Sequence, residues 1–117
     1  MNKLLIYIGE RQKFNVRDAI ATISSIPGVS NPREGAFIGA IFECYYEAQG
    51  VKTIVRISSD AETVTAEGLG DESVRFMLEF QKRFPVDLHA IDMEYSFDLP
   101  LRGFEAVSDF KRAARMS

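Results

Sequence analysis

The chain has 117 residues, of which 46% are hydrophobic and 26% charged, a composition typical of a folded domain rather than a disordered one. Its formal net charge of −3 disfavours non-specific binding to nucleic acid or to an anionic membrane. The single cysteine, Cys44, excludes an intrachain disulfide framework and a cysteine-based zinc site, and we expect it to be a buried, unreactive thiol. The apolar run at residues 4–8 is shorter than the core of a secretory signal, and no stretch has transmembrane length. We therefore expect a cytoplasmic protein.

The first third of the chain is predicted to form a strand, a helix and a loop. Residues 3–8 are apolar on nearly both faces, which is typical of a central strand. A helix is predicted over residues 16–25, with Asn15 as its N-cap and an apolar stripe at helical spacing. Residues 28–35 (GVSNPREG) are rich in turn formers, so we predict an ordered loop there.

The clearest pattern is a β-hairpin over residues 36–58 that turns at Gln49-Gly50. A two-residue loop puts Glu43 opposite Arg56 and leaves a continuous apolar face on the other side. A shift by one residue would lose the charge pairs and mix the two faces. The other pairs that this register predicts are Ala48 with Val51, Glu47 with Lys52, Tyr46 with Thr53, Tyr45 with Ile54, Cys44 with Val55 and Phe42 with Ile57.

The rest of the chain is predicted to add a helix, a long strand and a terminal helix. The second helix covers residues 72–84 with Asp71 as N-cap, the strand covers residues 87–99, and the last helix covers residues 104–115. The sequence leaves open whether residues 62–67 form a short additional edge strand.

This order of elements matches the ferredoxin-like split βαβ arrangement. We predict a single α+β domain over residues 1–117: a two-layer sandwich with an antiparallel sheet of four or five strands and two helices on one face. The predicted strand order is last strand, first strand, second hairpin arm, first hairpin arm. The C-terminal helix (103–115) is an appended element that we expect to cover an apolar edge of the second helix. The fold hosts many functions and selects none of them.

No motif in the chain predicts a catalytic residue, a metal site or a cofactor. The sequence GLGDES at residues 68–73 is similar to a phosphate-binding loop, but its acidic residues would repel phosphate, so a capped turn is the better interpretation. Asp92 and Glu94, on one face of the predicted strand, could bind a cation or act as an acid–base pair, or could simply be solvated. His89, the only histidine, is predicted at the edge of the core on the same side as Ile91 and Met93. These observations favour a non-enzymatic protein.

The uncovered face of the sheet is the predicted binding surface. Residues 36–42 are apolar on both faces of their strand, so they form an interface or are covered by the terminal helix or the 28–35 loop, and the sequence leaves both options open. The face lacks the basic-aromatic run of RNA-recognition domains, which disfavours nucleic acid as a ligand. The candidate interface residues are Tyr7, Phe37, Ile41, Glu43, Tyr45, Ile54, Arg56, Asp92 and Glu94.

We therefore expect a small interaction module that binds another protein or a second copy of itself through this face, for example as a homodimer. The acidic stretches 60–72 and 87–98 suggest an inhibitor or immunity-type protein that meets a basic partner. The alternative is a small-ligand-binding domain or enzyme with a cleft lined by His89, Asp92 and Glu94.

Overall fold

The structure, a computed structural model, describes residues 3–9, 12–37 and 39–116, apart from the side chains of Ala36 and Phe37. The described residues form seven strands and three helices. Their bounds, in chain order, are β1 Lys3–Tyr7, α1 Val16–Ser24, β2 Val29–Phe37, β3 Ala40–Ala48, β4 Val51–Ser58, β5 Val64–Glu67, α2 Asp71–Arg83, β6 His89–Asp92, β7 Asp98–Pro100 and α3 Val107–Ala113.

All seven strands belong to one antiparallel sheet in the order β2-β3-β4-β5-β1-β6-β7. The predicted α+β class is confirmed, but the ferredoxin-like arrangement is not, and the sheet is larger than the predicted four or five strands. The main difference is the position of β5. It lies between β4 and β1 instead of at an edge, so the first strand does not pair with the second arm of the hairpin.

The predicted hairpin is confirmed as β3 and β4, with every predicted residue pair present. Gln49 and Gly50 have φ values of 52° and 80°, which are the positive values that a type I′ turn requires. The first arm begins at Ala40 rather than residue 36, because the chain turns at Gly39, where φ is 80°. A register shift follows between Ala40 and Phe42.

The prediction of a loop at residues 28–35 is wrong, since all of these residues except Gly28 belong to the edge strand β2. The strand is irregular, with register shifts between Ser30 and Arg33 and between Glu34 and Phe37. Turn-forming residues and Pro32 are tolerated because the outer side of an edge strand needs no backbone partners. Such irregularity also discourages pairing with another sheet.

The prediction of one long strand over residues 87–99 is also wrong. The chain forms β6, a turn and then β7, which pairs back on β6. Tyr95 has φ 55° in this turn, and its N–H donates to the carbonyl oxygen of Asp92 at 3.2 Å. The apolar–acidic alternation continues through the turn and therefore conceals it.

The core lies between the helices and one face of the sheet, where alternate strand residues are buried. Asn15 caps α1 as predicted, accepting the N–H of Asp18 at 3.0 Å. Gly70, not Asp71, holds the cap position of α2, and α3 begins at Val107 rather than at residue 104. As expected, α3 packs against α2. None of the described helices is long and apolar enough to cross a membrane.

Candidate functional site

The face of the sheet opposite the helices, here called the open face, carries the strand residues that alternate with the core positions. Five of the predicted interface residues lie together on it: Tyr7, Glu43, Tyr45, Ile54 and Arg56. The described residues of the open face include Lys3, Leu5, Tyr7, Glu43, Tyr45, Ile54, Arg56, Thr65, Glu67, His89, Ile91 and Asp98.

A row of ion pairs, here called the charge ladder, crosses the open face from β2 to β1. The oxygens of Glu43 lie 2.9 Å from Nη2 of Arg33 and 2.6 Å from Nε of Arg56. Arg56 Nη1 then contacts Glu67 Oε1 at 2.6 Å, and Lys3 Nζ lies 3.5 Å from the same oxygen. The Glu43–Arg56 pair of the ladder follows from the hairpin register, because that register alone puts these two residues opposite each other.

Glu43 is the most buried charge of the ladder, with 9% of its side chain exposed. The hydrogen bond from Arg56 lowers the pKa of Glu43 below its ordinary value, with a further contribution from Arg33, although burial acts in the opposite direction. Glu43 therefore stays ionised in mildly acidic solution. It serves as a fixed negative charge rather than as a general acid or base.

A second polar cluster on the open face joins Tyr7, His89 and Asp98. The hydroxyl group of Tyr7 donates to both carboxylate oxygens of Asp98 at 2.7 Å, and its ring stacks on His89 with a centroid distance of 5.3 Å. Burial and the Asp98 carboxylate raise the pKa of Tyr7 to about 12. The tyrosine therefore remains a protonated donor at physiological pH.

The faces of β6 are reversed relative to the prediction. Tyr7 lies opposite His89 and Leu4 opposite Asp92, so His89 and Ile91 are on the open face and Asp92 is on the helix side. His89 is thus a half-buried residue of the open face, not a core-edge residue on the same side as Met93. A strand that is shifted by one residue presents every side chain to the other face.

Asp92 and Glu94 do not share a strand face, because Glu94 is exposed in the β6–β7 turn. Asp92 is 8% exposed, and its Oδ1 accepts the Ser96 N–H at 2.7 Å while Oδ2 accepts the Ser96 hydroxyl. Burial raises the pKa of Asp92, but the hydrogen bonds from Ser96 outweigh this effect and hold the pKa below its ordinary value. The role of Asp92 visible in the structure is to fix the turn.

The cleft predicted from His89, Asp92 and Glu94 does not form from these three residues. His89 does line a cleft of about 540 Å³, but neither carboxylate contributes to it. No group of three metal-binding side chains occurs among the described residues. The other lining residues of the cleft are Ile8, Gly9, Gln12, Pro85, Val86 and Asp87.

Neither of the two predicted covers lies over the described residues of the apolar stretch 36–42. Residues 29–35 extend the sheet sideways as part of β2, and α3 packs against α2. Ile41 is half-buried and packs against the core, while the Phe37 side chain and Ile38 lie outside the described part of the chain. Cys44 is 1% exposed, and burial raises the pKa of its thiol to about 12, as expected for an unreactive cysteine.

The β6–β7 turn is the feature that the sequence analysis missed. It exposes two large apolar side chains, Met93 at 50% and Tyr95 at 75%. Asp92 and Ser96 could have indicated it, since both are turn-forming residues inside an otherwise strand-like run.

The open face offers groups suited to recognition: a protonated tyrosine, ionised carboxylates and half-buried apolar side chains. No protein-family model, characterised protein or solved structure matches the chain. Function is therefore inferred from the geometry alone.

Proposed function

We propose that the chain is a non-enzymatic protein-interaction module that associates with a second copy of itself through the open face. The observation that supports this proposal is the order of signs along the charge ladder. Arg33, Glu43, Arg56, Glu67 and Lys3 alternate as plus, minus, plus, minus, plus, and the order reads the same in both directions. When a twofold axis relates two copies face to face, their ladders run in opposite directions but show the same order of signs. If the two ladders are offset by one position, each charge of one ladder faces a charge of opposite sign in the other.

The area of the open face fits a small specific interface. Seven strands have six spacings of about 4.8 Å, so the sheet is about 29 Å wide, and a five-residue strand is about 17 Å long. The projected area is about 500 Å² per copy and about 1,000 Å² for two, which reaches the lower limit for specific interfaces.

The energetic balance also favours this face. The side chains of Glu43 and Glu67 are only 9% and 19% exposed, so most of their desolvation has already occurred within one copy. Leu5, Ile54 and Ile91 are half-buried, and a second copy would bury their remaining apolar surface. Such a dimer leaves the acidic turn between β6 and β7 free to meet a basic partner, as an inhibitor or immunity-type protein would.

The test measures the mass of the chain in solution by light scattering over a range of concentrations. The wild type is expected to be a dimer, and Ile54→Lys, which places a charge on the open face, is expected to be a monomer with an unchanged circular dichroism spectrum. The matched control is Val51→Lys, because Val51 belongs to the same strand, is 48% exposed and lies on the helix side of it. Val51→Lys should remain a dimer.

A wild type that is monomeric at every concentration, or an Ile54→Lys variant that remains dimeric, would contradict the proposal. A thermal-shift screen with divalent cations and small metabolites provides the contrast with the alternative function. Stabilisation by one of these compounds that disappears in His89→Ala would favour a small-ligand site in the cleft beside His89.

A further inference from the structure

The two most exposed apolar side chains in the described part of the chain lie together in the β6–β7 turn. Residues Met93, Glu94 and Tyr95, here called the β6–β7 tip, combine these two side chains with an exposed carboxylate. Tyrosine and methionine are enriched where proteins bind one another, and an aromatic side chain that enters a pocket supplies much of the binding energy. This composition indicates a contact element rather than a solvated turn.

The backbone of the β6–β7 tip is tied to Asp92 by hydrogen bonds within the chain. Tyr95 has a left-handed backbone, and Asp92 secures the turn through the N–H groups of Tyr95 and Ser96. Phe97, at the end of the turn, packs edge-on against the buried Phe110 with a centroid distance of 5.8 Å. A preformed tip loses little conformational entropy on binding, so its exposed side chains can contribute more to affinity.

A complementary groove lies between α2 and α3 on the same chain. This α2–α3 groove has a volume of about 790 Å³ and is lined by apolar Val107 and Met116 and by basic Arg75, Lys111 and Arg112, with Asp71 and Glu105 also present. Lys111 pairs with Asp71 at 2.6 Å, whereas Arg75 is exposed and makes no ion pair with any described residue. The groove therefore offers an apolar wall beside the guanidinium group of Arg75, which forms no ion pair with a described carboxylate.

We propose that the β6–β7 tip of one copy binds the α2–α3 groove of a second copy, with Glu94 paired to Arg75 and with Met93 and Tyr95 against Val107 and Met116. Glu94, like Arg75, has no ion-pair partner among the described residues, and residues 87–98 contain no lysine or arginine that could compete for it. The tip of the same chain is exposed to solvent, so its own groove does not hold it.

This contact joins two different surfaces, so each copy can give a tip and accept one. When they repeat head to tail, contacts of this kind produce rings or open chains. A three-residue tip buries less surface than a standard interface, which places the contact among weak and transient interactions. The proposal does not depend on the open-face dimer, since the tip and the groove lie outside the charge ladder.

The test is a charge exchange followed by sedimentation at concentrations up to the millimolar range. Each charge variant is prepared in two forms. One form also carries Ile54→Lys, so that association through the open face does not contribute, and the other is otherwise wild type. Glu94→Arg and Arg75→Glu should each weaken self-association by roughly tenfold or more, because each creates a pair of like charges. The double variant should regain the parent's association, since each of its contacts joins opposite charges. An equimolar mixture of the two single variants should associate more strongly than either alone, because contacts between unlike variants join opposite charges.

The matched controls carry the same charge changes outside the tip and the groove: Glu34→Arg on β2 and Lys82→Glu on α2, both at exposed positions. They should associate as the parent does, while Tyr95→Ala should associate less. A parent that stays monomeric at millimolar concentration, single variants that associate like the parent, a double variant that is not restored, or a mixture that associates no more strongly than either single variant would overturn the proposal. The effect of Ile54→Lys on the mass in solution tests only the open-face dimer, whereas the charge exchange tests only the contact between tip and groove. Either proposal can therefore be refuted without the other.

Discussion

Replacement of Arg56 by methionine should destabilise the chain by about 2 kcal/mol at neutral pH, because Arg56 is the central cation of the charge ladder. Arg56 forms ion pairs with both Glu43 and Glu67, at 2.6 Å each. Methionine keeps an aliphatic stem of similar length but removes the charge and the hydrogen bonds. Two poorly hydrated carboxylates would then lie on either side of β4 without the cation between them.

The magnitude follows from what remains after the substitution. Removal of one partner from a fully buried ion pair costs about 3–5 kcal/mol. The cost should be lower here because the Arg56 side chain is 34% exposed, Glu43 keeps Arg33 at 2.9 Å and Glu67 keeps Lys3 at 3.5 Å. It should still exceed the cost for an exposed surface pair, which is about 0–1 kcal/mol.

The loss should also depend on pH. The pKa of Glu43 is lowered in the folded chain, chiefly by Arg56, so its ionic contribution to stability is present above the ordinary carboxyl pKa of about 4.3 and is lost as the pH falls through the lower folded value. The difference between the wild type and Arg56→Met should therefore be largest at neutral pH and should shrink below about pH 4.

Urea denaturation followed by circular dichroism measures this difference at neutral and acidic pH. The control is Lys52→Met on the same strand, because Lys52 is exposed and faces the exposed Glu47. Equal losses for Arg56→Met and Lys52→Met at neutral pH, or a difference that grows as the pH falls, would refute the reasoning.

The other predictions concern single groups. Cys44, with a pKa of about 12, should react with a thiol reagent at mildly alkaline pH only as fast as the chain unfolds, and rapid reaction of the folded chain would show that the thiol is accessible. Tyrosinate absorbance should show Tyr7 titrating near pH 12, and Asp98→Asn should lower this pKa; an unchanged titration curve would argue against the Asp98 contact. Gly28→Ala should cost about 3 kcal/mol in urea denaturation, because φ is 100° and the new Cβ would lie 2.5 Å from a backbone oxygen of β3. Gly39→Ala, at φ 80° and with no described atom beyond its chain neighbours within 4 Å of the new Cβ, should cost only about 1 kcal/mol, and equal losses would show that the close approach is unimportant.

The hairpin was predictable because two independent signals agreed on it. Residues alternate between apolar and polar along both arms, and the charge pairs select one register among the possible ones. The charge ladder was only half predictable: the pairing of Glu43 with Arg56 follows from the hairpin, but Arg33 and Glu67 join it through β2 and β5. The sequence of a strand as short as β5, residues 64–67, does not specify which other strands it pairs with.

The errors have a common physical origin in irregular backbone. The bulges of β2 interrupt the alternation that would identify a strand, and the β6–β7 turn falls inside an alternation that continues past it. The alternation of side chains along a sequence identifies a strand, but it does not tell which of the two sets faces the helices. For this reason His89 and Asp92 were assigned to the wrong sides of the sheet. Asp92 and Glu94 were predicted to share one face of a long strand, and they do not because this strand ends at Asp92.

The position of β5 has a consequence for how the chain folds. Strands β2 to β5 are neighbours both in sequence and in the sheet, so they can pair through short loops at little entropic cost. Strand β1 pairs only with β5 and β6, whose residues 64–67 and 89–92 are synthesised much later. Contacts of such high sequence separation form slowly. We therefore expect β1, which precedes its partners β5 and β6 in the sequence, to be among the last strands to become protected from hydrogen exchange, as it closes a sheet whose other half is already formed.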